Sequence, residues 1–379
     1  MYLLEHDAKW LLESASVNVP PGTLLEQGGT LDLSALPEGP WMVKGQVAAG
    51  GRGKAGLVRK AATVDEVARC SEAMFGTLLK GKRVEAVRVE RQVAAVAEVY
   101  IALMVDAAAG GVRVIVSEQG GMEIESVAPQ DLRSETVAAD APAVVACVER
   151  LVRGMAAAKA AALAEAARKL AALFFQSEAL LVEINPLFVM ADGGWVAADA
   201  KIVTDDNALA RQSGLQRLLG ARAAAYPEAW LKQEHGFDYV VVDPEGQIGL
   251  LTTGAGLSMM LIDELRADGL RPYNFLDIRT GGFRGDPARL VSVLGWLGEA
   301  PSVKAVLINI FAGITDLGEF AALLLDALRQ APALRVPMVA RLVGTNLEAA
   351  QVLLAQAGIP IYTELDPAIA HLRRHLESC

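Results

Sequence analysis

K-A-V-L-I-N-I, residues 304–310, is a short apolar run closed by F-A-G-I-T at 311–315 and followed by a helical pattern at 317–330. A run of this length and character predicts a strand covered on both faces. The same unit recurs downstream: a strand at 337–342 precedes a helix at 346–357, and a strand at 359–363 leads to a last helix at 366–377. Upstream, strands at 238–242 and 248–252 precede a helix at 257–268. That rhythm is βαβ and predicts a parallel sheet with helices on its faces.

Before residue 235 the pattern differs. Apolar positions at Leu3, Leu4, Trp10, Leu11 and Leu12 predict a short amphipathic helix over 2–14, and N-V-P-P-G at 18–22 a turn. A strand at 40–48 runs into a glycine-rich loop at 49–56, and T-V-D-E from Thr63 opens a helix to about Phe75 through a capping box. β-like stretches follow at 84–92, 98–106 and 112–117, then a long Ala/Leu helical region at 142–175, broken or bent near Gly154. Residues 180–190 and 195–201 form a hairpin around Asp192-Gly193-Gly194. The domain boundary is expected within 220–236.

The chain has 379 residues, 53% hydrophobic and 21% charged, enough for two or three domains with a sizeable core. A net charge of −10 argues against nucleic acid as partner and leaves room only for a local basic pocket. Cys70, Cys147 and Cys379 form no CxxC pair and read as free thiols in a reducing compartment. Glu5, Asp7 and Lys9 interrupt the apolar N-terminus, which is therefore no signal peptide, and no apolar run reaches the ~18 residues of a membrane span. The expectation is a soluble cytoplasmic protein.

Several stretches could carry chemistry. Lys44 precedes A-G-G-R-G-K-A-G at 49–56, where four glycines let backbone N–H groups approach an anion and Arg52 and Lys54 add charge. The loop lacks the G-K-[ST] ending of a Walker loop. Glu90 and Glu98 could accept from an adenine amino group or a ribose hydroxyl, although their spacing alone suits two solvated carboxylates. In L-V-E-I-N-P-L at 181–187, Glu183 and Asn185 share one face of a strand, and Asp199 of A-D-A-K lies on the partner strand. An amide oxygen and a carboxylate suit Mg²⁺, which prefers hard oxygen ligands. T-T-G-A-G-L at 252–257 and N-I-F-A-G-I-T at 309–315 each end a strand before a helix, where a carboxylate or phosphate is favoured. His6, His235, His371 and His375 lie outside any glycine-rich phosphate loop, and the i,i+4 pair His371/His375 reads as a solvated helix face.

K-G-Q-V-A-A-G-G-R-G-K-A-G (44–56), E-Q-G-G-M-E-I-E (118–125), E-I-N-P-L (183–187), D-A-K (199–201), D-D-N-A-L (205–209), G-A-G-L (254–257), N-F-L-D (274–277) and N-I-F-A-G-I (309–314) occur in this order. With them the chain resembles, over nearly its whole length, the succinyl-CoA synthetase beta-subunit family and its malate–CoA ligase relatives. The resemblance implies an α/β protein: an ATP-grasp domain over about 1–230, with a small subdomain at about 20–95, then a flavodoxin-like, doubly wound CoA-ligase domain over 236–379. It implies that Lys44, Gly51, Arg52 and Gly53 hold the phosphates of ATP, that Glu90, Glu98 and the backbone of Val93 meet the adenosine side, and that Asn185 and Asp199 bind Mg²⁺. Glu183 matches the glutamate that handles a phosphohistidine borne by an alpha-type, CoA-binding partner. Thr253, Gly313, Ile314 and Thr315 match the loops near a small carboxylic acid. CoA enters as co-substrate, mainly through that partner.

This chain departs from the family in the acid-handling half. Thr253 replaces the usual Asn. Ile278-Arg279-Thr280-Gly281-Gly282 replaces a run of glycines, Thr315-Asp316-Leu317-Gly318 replaces an Arg-Cys-Asp stretch, and 126–145 is shortened. The expectation is retained ATP use with an acid other than succinate, Arg279 pairing with its carboxylate. D-A-K and F-A-G lean toward the malate-type relative. The rivals are an amine-joining ATP-grasp ligase, disfavoured by the second domain, and a non-catalytic scaffold or regulatory paralogue, disfavoured by the retained Lys44, Glu183, Asn185 and Asp199.

Overall fold

The computed structural model describes residues 1–30, 32–122, 131–279, 285–331 and 334–377, apart from the side chains of Leu33, Ala312 and Ile314. Residues 123–125 of the E-Q-G-G-M-E-I-E stretch, 126–130, Thr280 to Gly282 and Cys379 lie outside them. Two compact units divide the chain, Met1–Leu218 and Leu219–Cys379.

The first unit opens with α1 (Glu5–Ser14) and continues with β1 (Gly22–Glu26), β2 (Trp41–Gln46), β3 (Val58–Ala61), α2 (Val64–Glu72), the small pair β4 (Leu78–Leu79) and β5 (Lys82–Arg83), and β6 (Ala86–Arg91). An antiparallel sheet runs β1-β6-β2-β3. Alternation along β2 sends Val43 into an apolar cluster with Val67 of α2, Val84, Val87 and Val89, and Lys44 to the opposite face. The expected cap of α2 is present: Thr63 Oγ1 accepts from Glu66 N–H, and Glu66 reaches back to Ala62 N–H.

The second sheet of this unit is built from β7 (Ala97–Asp106), β8 (Gly111–Ser117), β9 (Leu132–Val137), β10 (Ala179–Val189), β11 (Trp195–Ala197) and β12 (Lys201–Thr204). Its order is β11-β10-β7-β8-β9, with β12 also on β10. The long Ala/Leu segment forms two helices, α3 (Ala141–Leu151) and α4 (Ala157–Gln176), with Gly154 at φ +80° between them. A left-handed residue stops a helix rather than bending it.

Helix α1 departs from its simple amphipathic reading. Trp10 is 40% exposed, whereas the charged pair Glu5 and Lys9 is buried. The polar i,i+4 stripe faces the protein interior.

The boundary falls within α5 (Ser213–Ala221), and α6 (Pro227–His235) lies in the second unit. The second unit holds β13 (Asp238–Val241), β14 (Ile248–Thr252), α7 (Ala255–Ala267), β15 (Asn274–Asp277), α8 (Ala288–Glu299), β16 (Ala305–Asp316), α9 (Leu317–Gln330), β17 (Met338–Thr345), α10 (Leu347–Gln356), β18 (Ile361–Tyr362) and α11 (Leu365–Glu377). Strands β14-β16-β17-β18 are parallel, with apolar clusters on both faces. β15 runs beside β14, joined by Tyr273 N–H to Ile248 O and Ile278 N–H to Thr252 O. Between these bonds the buried Asn274 side chain replaces the ladder, accepting from Leu250 N–H and donating to Leu250 O. The order β15-β14-β16-β17-β18 reverses direction between β14 and β16, the doubly wound flavodoxin-like arrangement. The strand at 238–242 corrects the expectation of a wholly parallel sheet: β13 pairs antiparallel with β15, at the edge.

Candidate functional site

The first unit gathers seven charged side chains beneath the glycine loop. Lys44, on the polar face of β2, lies 2.8 Å from Glu5 Oε1 and 2.7 Å from Glu90 Oε1, and donates to Ala198 O at 2.8 Å. Lys9, one turn after Glu5 on α1, is 2.6 Å from both Glu5 Oε1 and Glu90 Oε2 and donates to the same carbonyl at 2.8 Å. Arg52 bridges Glu5 Oε2 at 2.6 Å and Asp199 Oδ1 at 2.7 Å. Arg88 completes the set, 2.7 Å from Glu90 Oε2 and bonded through its other nitrogens to His6 Nδ1 and Pro20 O. Four cations thus face three carboxylates in a buried place, where an unpaired charge would be costly.

Burial alone would raise the Glu5 carboxyl, but Lys44, then Lys9 and Arg52, outweigh it and hold it well below the usual carboxylate range. Glu90 is lowered in the same way, by Lys9 and Lys44 against burial. Burial pulls the Lys9 ammonium down despite Glu5 and Glu90, whereas for Lys44 those carboxylates outweigh burial and raise it.

The loop above this cluster is open. A side-chain carbon built on Gly50, Gly51 or Gly53 meets no described atom within 4 Å, and Gly51 has φ +90°. Its far side is fixed by Ala55 N–H to Gly51 O and Leu57 N–H to Arg52 O. Gly22 is the opposite case, because it faces Glu90 across the β1–β6 ladder and a Cβ there would sit 2.7 Å from Glu90 Cβ.

The β10 hairpin supplies the oxygen donors. Leu187 pairs with Ala197 on β11 and Glu183 with Lys201 on β12, at the same offset on either side of a gap in the ladder. At that offset Asn185 falls opposite Asp199, and beside them Ala198 N–H donates to Pro186 O. Directly opposed residues bring their Cβ atoms to about 5 Å, close enough to share a cation. Asn185 Oδ1 accepts from Gly121 N–H at 2.8 Å, and Asp199 Oδ1 also accepts from Ala200 N–H. Two hard oxygens fit Mg²⁺, which completes its shell with water and phosphate. Among the described residues no three His, Cys, Asp or Glu side chains form a larger metal group. Glu183 is half-buried, 3.5 Å from Lys201.

The remaining adenosine-side residues are dispersed. Glu90 is 1% exposed with both oxygens committed to cations. Val93 lies half-buried in the connection from β6 to β7. Glu98 is exposed, its backbone oxygen accepting from Gly120 N–H.

In the second unit Thr253 follows Thr252 at the C-terminal end of β14, whereas the segment Gly313 to Thr315, expected as a loop after the strand, lies within β16, in a bulge between the pairs Ala312–Gly344 and Asp316–Thr345. Thr253 is buried, and Gly254 N–H donates to Asp277 Oδ1. Asp316 caps α9 through Glu319 N–H and is held by Asn346 Nδ2. Arg279, at φ +52°, is exposed and paired with Asp238 at 3.0 Å. Asn309 is fully buried. Its Oδ1 accepts from Arg341, while its Nδ2 finds no partner among the described residues. Of the histidine pair, His371 bonds to the Tyr362 hydroxyl at 2.7 Å.

Glu5, Lys9 and Arg88 went unassigned in the sequence reading. The available signal was an i,i+4 charge pair set between Leu3-Leu4 and Leu11-Leu12.

Comparison with known proteins agrees with both halves. An ATP-grasp domain family matches residues 2–189 and a CoA-ligase family matches residues 251–372. The chain is 34% identical to the succinate–CoA ligase (ADP-forming) subunit beta of Desulfurococcus amylolyticus, over 98% of each chain. It is 38% identical to that of Chloroflexus aurantiacus, over 94% of each. Among solved structures it shares the fold of ATP citrate lyase from Methanothrix soehngenii, in complex with citrate and coenzyme A, with TM-score 0.75 and 20% identity over 99% of each chain. Among the described residues no helix is long and apolar enough to cross a membrane. The chain belongs to the family of succinate–CoA ligase (ADP-forming) beta subunits.

Proposed function

We propose that this chain is the nucleotide-binding beta subunit of an ATP-dependent acid–CoA ligase acting on a di- or hydroxycarboxylic acid, in the cytoplasm and with an alpha-type partner that binds CoA and carries the phosphohistidine. The nucleotide domain runs to about residue 230, and the CoA-ligase domain spans 236–379. The observation that carries this reading is the meeting of Lys44, Arg52 and Asp199 under an open glycine loop, with Asn185 opposite Asp199.

Lys44 and Arg52, with the N–H groups of Gly51 and Gly53, bind and orient the phosphates. Asn185 and Asp199 hold Mg²⁺, which supplies charge neutralisation between phosphate oxygens. Glu98 and the Val93 backbone border the adenosine side, with Glu90 acting behind them through its cations. Glu183, beside the metal pair, handles the partner's phosphohistidine. Thr253, Gly313, Ile314 and Thr315 meet the acid, where this chain departs from its family.

The test is co-expression with an alpha-type subunit and measurement of ATP-, Mg²⁺- and CoA-dependent thioester formation across dicarboxylic and hydroxy acids. Thioester from one acid names the substrate, and malate would place the chain with the malate-type relatives. Neither thioester nor phosphohistidine on the partner would leave the non-catalytic subunit as the better reading.

A further inference from the structure

Lys9 is a buried ammonium for which the nucleotide site as described has no use. It is 0% exposed, whereas Lys44 and Arg52 keep 9% and 10% of their side chains accessible. Lys9 therefore cannot reach a ligand, yet it contacts the same two carboxylates and the same carbonyl as Lys44.

We propose that Lys9 is a positioning residue that remains as the fixed counter-charge of Glu5 and Glu90 while Lys44 and Arg52 turn from them to the nucleotide phosphates. The proposal rests on the phosphate role of Lys44 and Arg52 given above. Charge accounting supports it. Without ligand, Lys9, Lys44, Arg52 and Arg88 face Glu5, Glu90 and Asp199. Once Lys44 and Arg52 turn away, Lys9 and Arg88 still balance Glu5 and Glu90, and Asp199 is released for the metal. Were Lys9 neutral, Glu5 would be stranded without a partner whenever Arg52 and Lys44 left it. A buried carboxylate resists that, so it would compete with the phosphates for both cations. Lys9 also keeps hold of Ala198 O, fixing the backbone just before Asp199 when Lys44 lets go.

The experiment is calorimetric titration of the full chain with MgADP for the wild type, Lys9→Met, Glu5→Gln and the double variant, with thermal melting alongside. Lys9→Met is expected to bind about tenfold or more weakly, as loss of one partner of a buried charge pair does. Adding Glu5→Gln removes the competing carboxylate and is expected to restore most of that affinity. Glu5→Gln alone should bind at least as tightly as the wild type. A folded Lys9→Met that binds normally overturns the proposal, and so does a loss that Glu5→Gln does not recover, because a packing role predicts no such rescue. If Lys9→Met fails to fold, Glu5→Gln alone decides, and weaker binding counts against the proposal. A wild-type chain that binds no MgADP would instead remove the nucleotide site itself.

Discussion

Asn185 and Asp199 fall opposite one another in the gap between β11 and β12, at the offset that the pairs Leu187–Ala197 and Glu183–Lys201 share on either side. Their oxygens are occupied by Gly121 N–H and by Arg52 and Ala200 N–H. Asp199→Asn should raise the free Mg²⁺ needed for half-maximal ADP binding on the order of tenfold or more. Asn185→Ala should do the same, and unchanged Mg²⁺ dependence in both would remove the pair from the metal site.

Glu183 pairs with Lys201 of β12, whereas Lys9 and Lys44 pair with Glu5 and Glu90. Glu183→Gln should therefore leave MgADP affinity near the wild-type value. Phosphorylation of the partner's histidine should slow by about a hundredfold or more, the scale of a lost proton-handling group. Parallel loss of binding and phosphorylation would show the residue to be structural.

Gly22 leaves no room for a methyl group, with Glu90 Cβ at 2.7 Å and Val89 O at 2.8 Å from the built position. Gly22→Ala should cost about 1–3 kcal/mol of stability through overpacking. Denaturant melts read this directly, and nucleotide affinity should fall with it as Glu90 is displaced.

Glu5 and Glu90 have carboxyls lowered in the folded chain, by Lys44 and Lys9 foremost and against the pull of burial. A depressed native pKa gives stability that is full above the unfolded value and is lost as pH falls toward the native one. Melting temperature should therefore hold above the ordinary carboxylate value of about 4.3 and drop below it. Glu5→Gln should flatten that drop, and an equally steep profile in the variant would place its origin elsewhere.

Arg279 is paired with Asp238 in an exposed position, an interaction worth at most about 1 kcal/mol. It can leave Asp238 for a substrate carboxylate at little cost. Arg279→Ala should raise the KM for the acid about tenfold, the worth of a charge-assisted bond, with hardly any change in melting temperature. An unchanged KM would discard the residue.

Much of the architecture was readable where local physics dominates. The apolar run at 304–310 became β16, and Asp192-Gly193-Gly194 became the hairpin turn with Gly193 at φ +85°. Apolar character cannot fix strand direction, so β13 was read with the parallel sheet although it pairs antiparallel at the edge. The charged stripe of α1 was harder. Nothing local marks Glu5 and Lys9 as buried, because their partners, Lys44 and Glu90, lie 39 and 81 residues away. Burial of a charge is decided by such distant neighbours, and no local window contains them. The pairing of Arg52 with Asp199 is invisible for the same reason.

Asn274 carries a consequence for exchange kinetics. Its amide accepts the Leu250 hydrogen and covers the Leu250 oxygen, so solvent protection at Leu250 reports on a side chain rather than on a strand. Replacing it with Leu would orphan both backbone groups at once in the interior, and hydrogen–deuterium exchange at Leu250 would quicken while the amides of β16 and β17 kept their rates. The middle of the seam between β14 and β15 is held by the chemistry of one side chain, while Tyr273 N–H to Ile248 O and Ile278 N–H to Thr252 O hold its two ends.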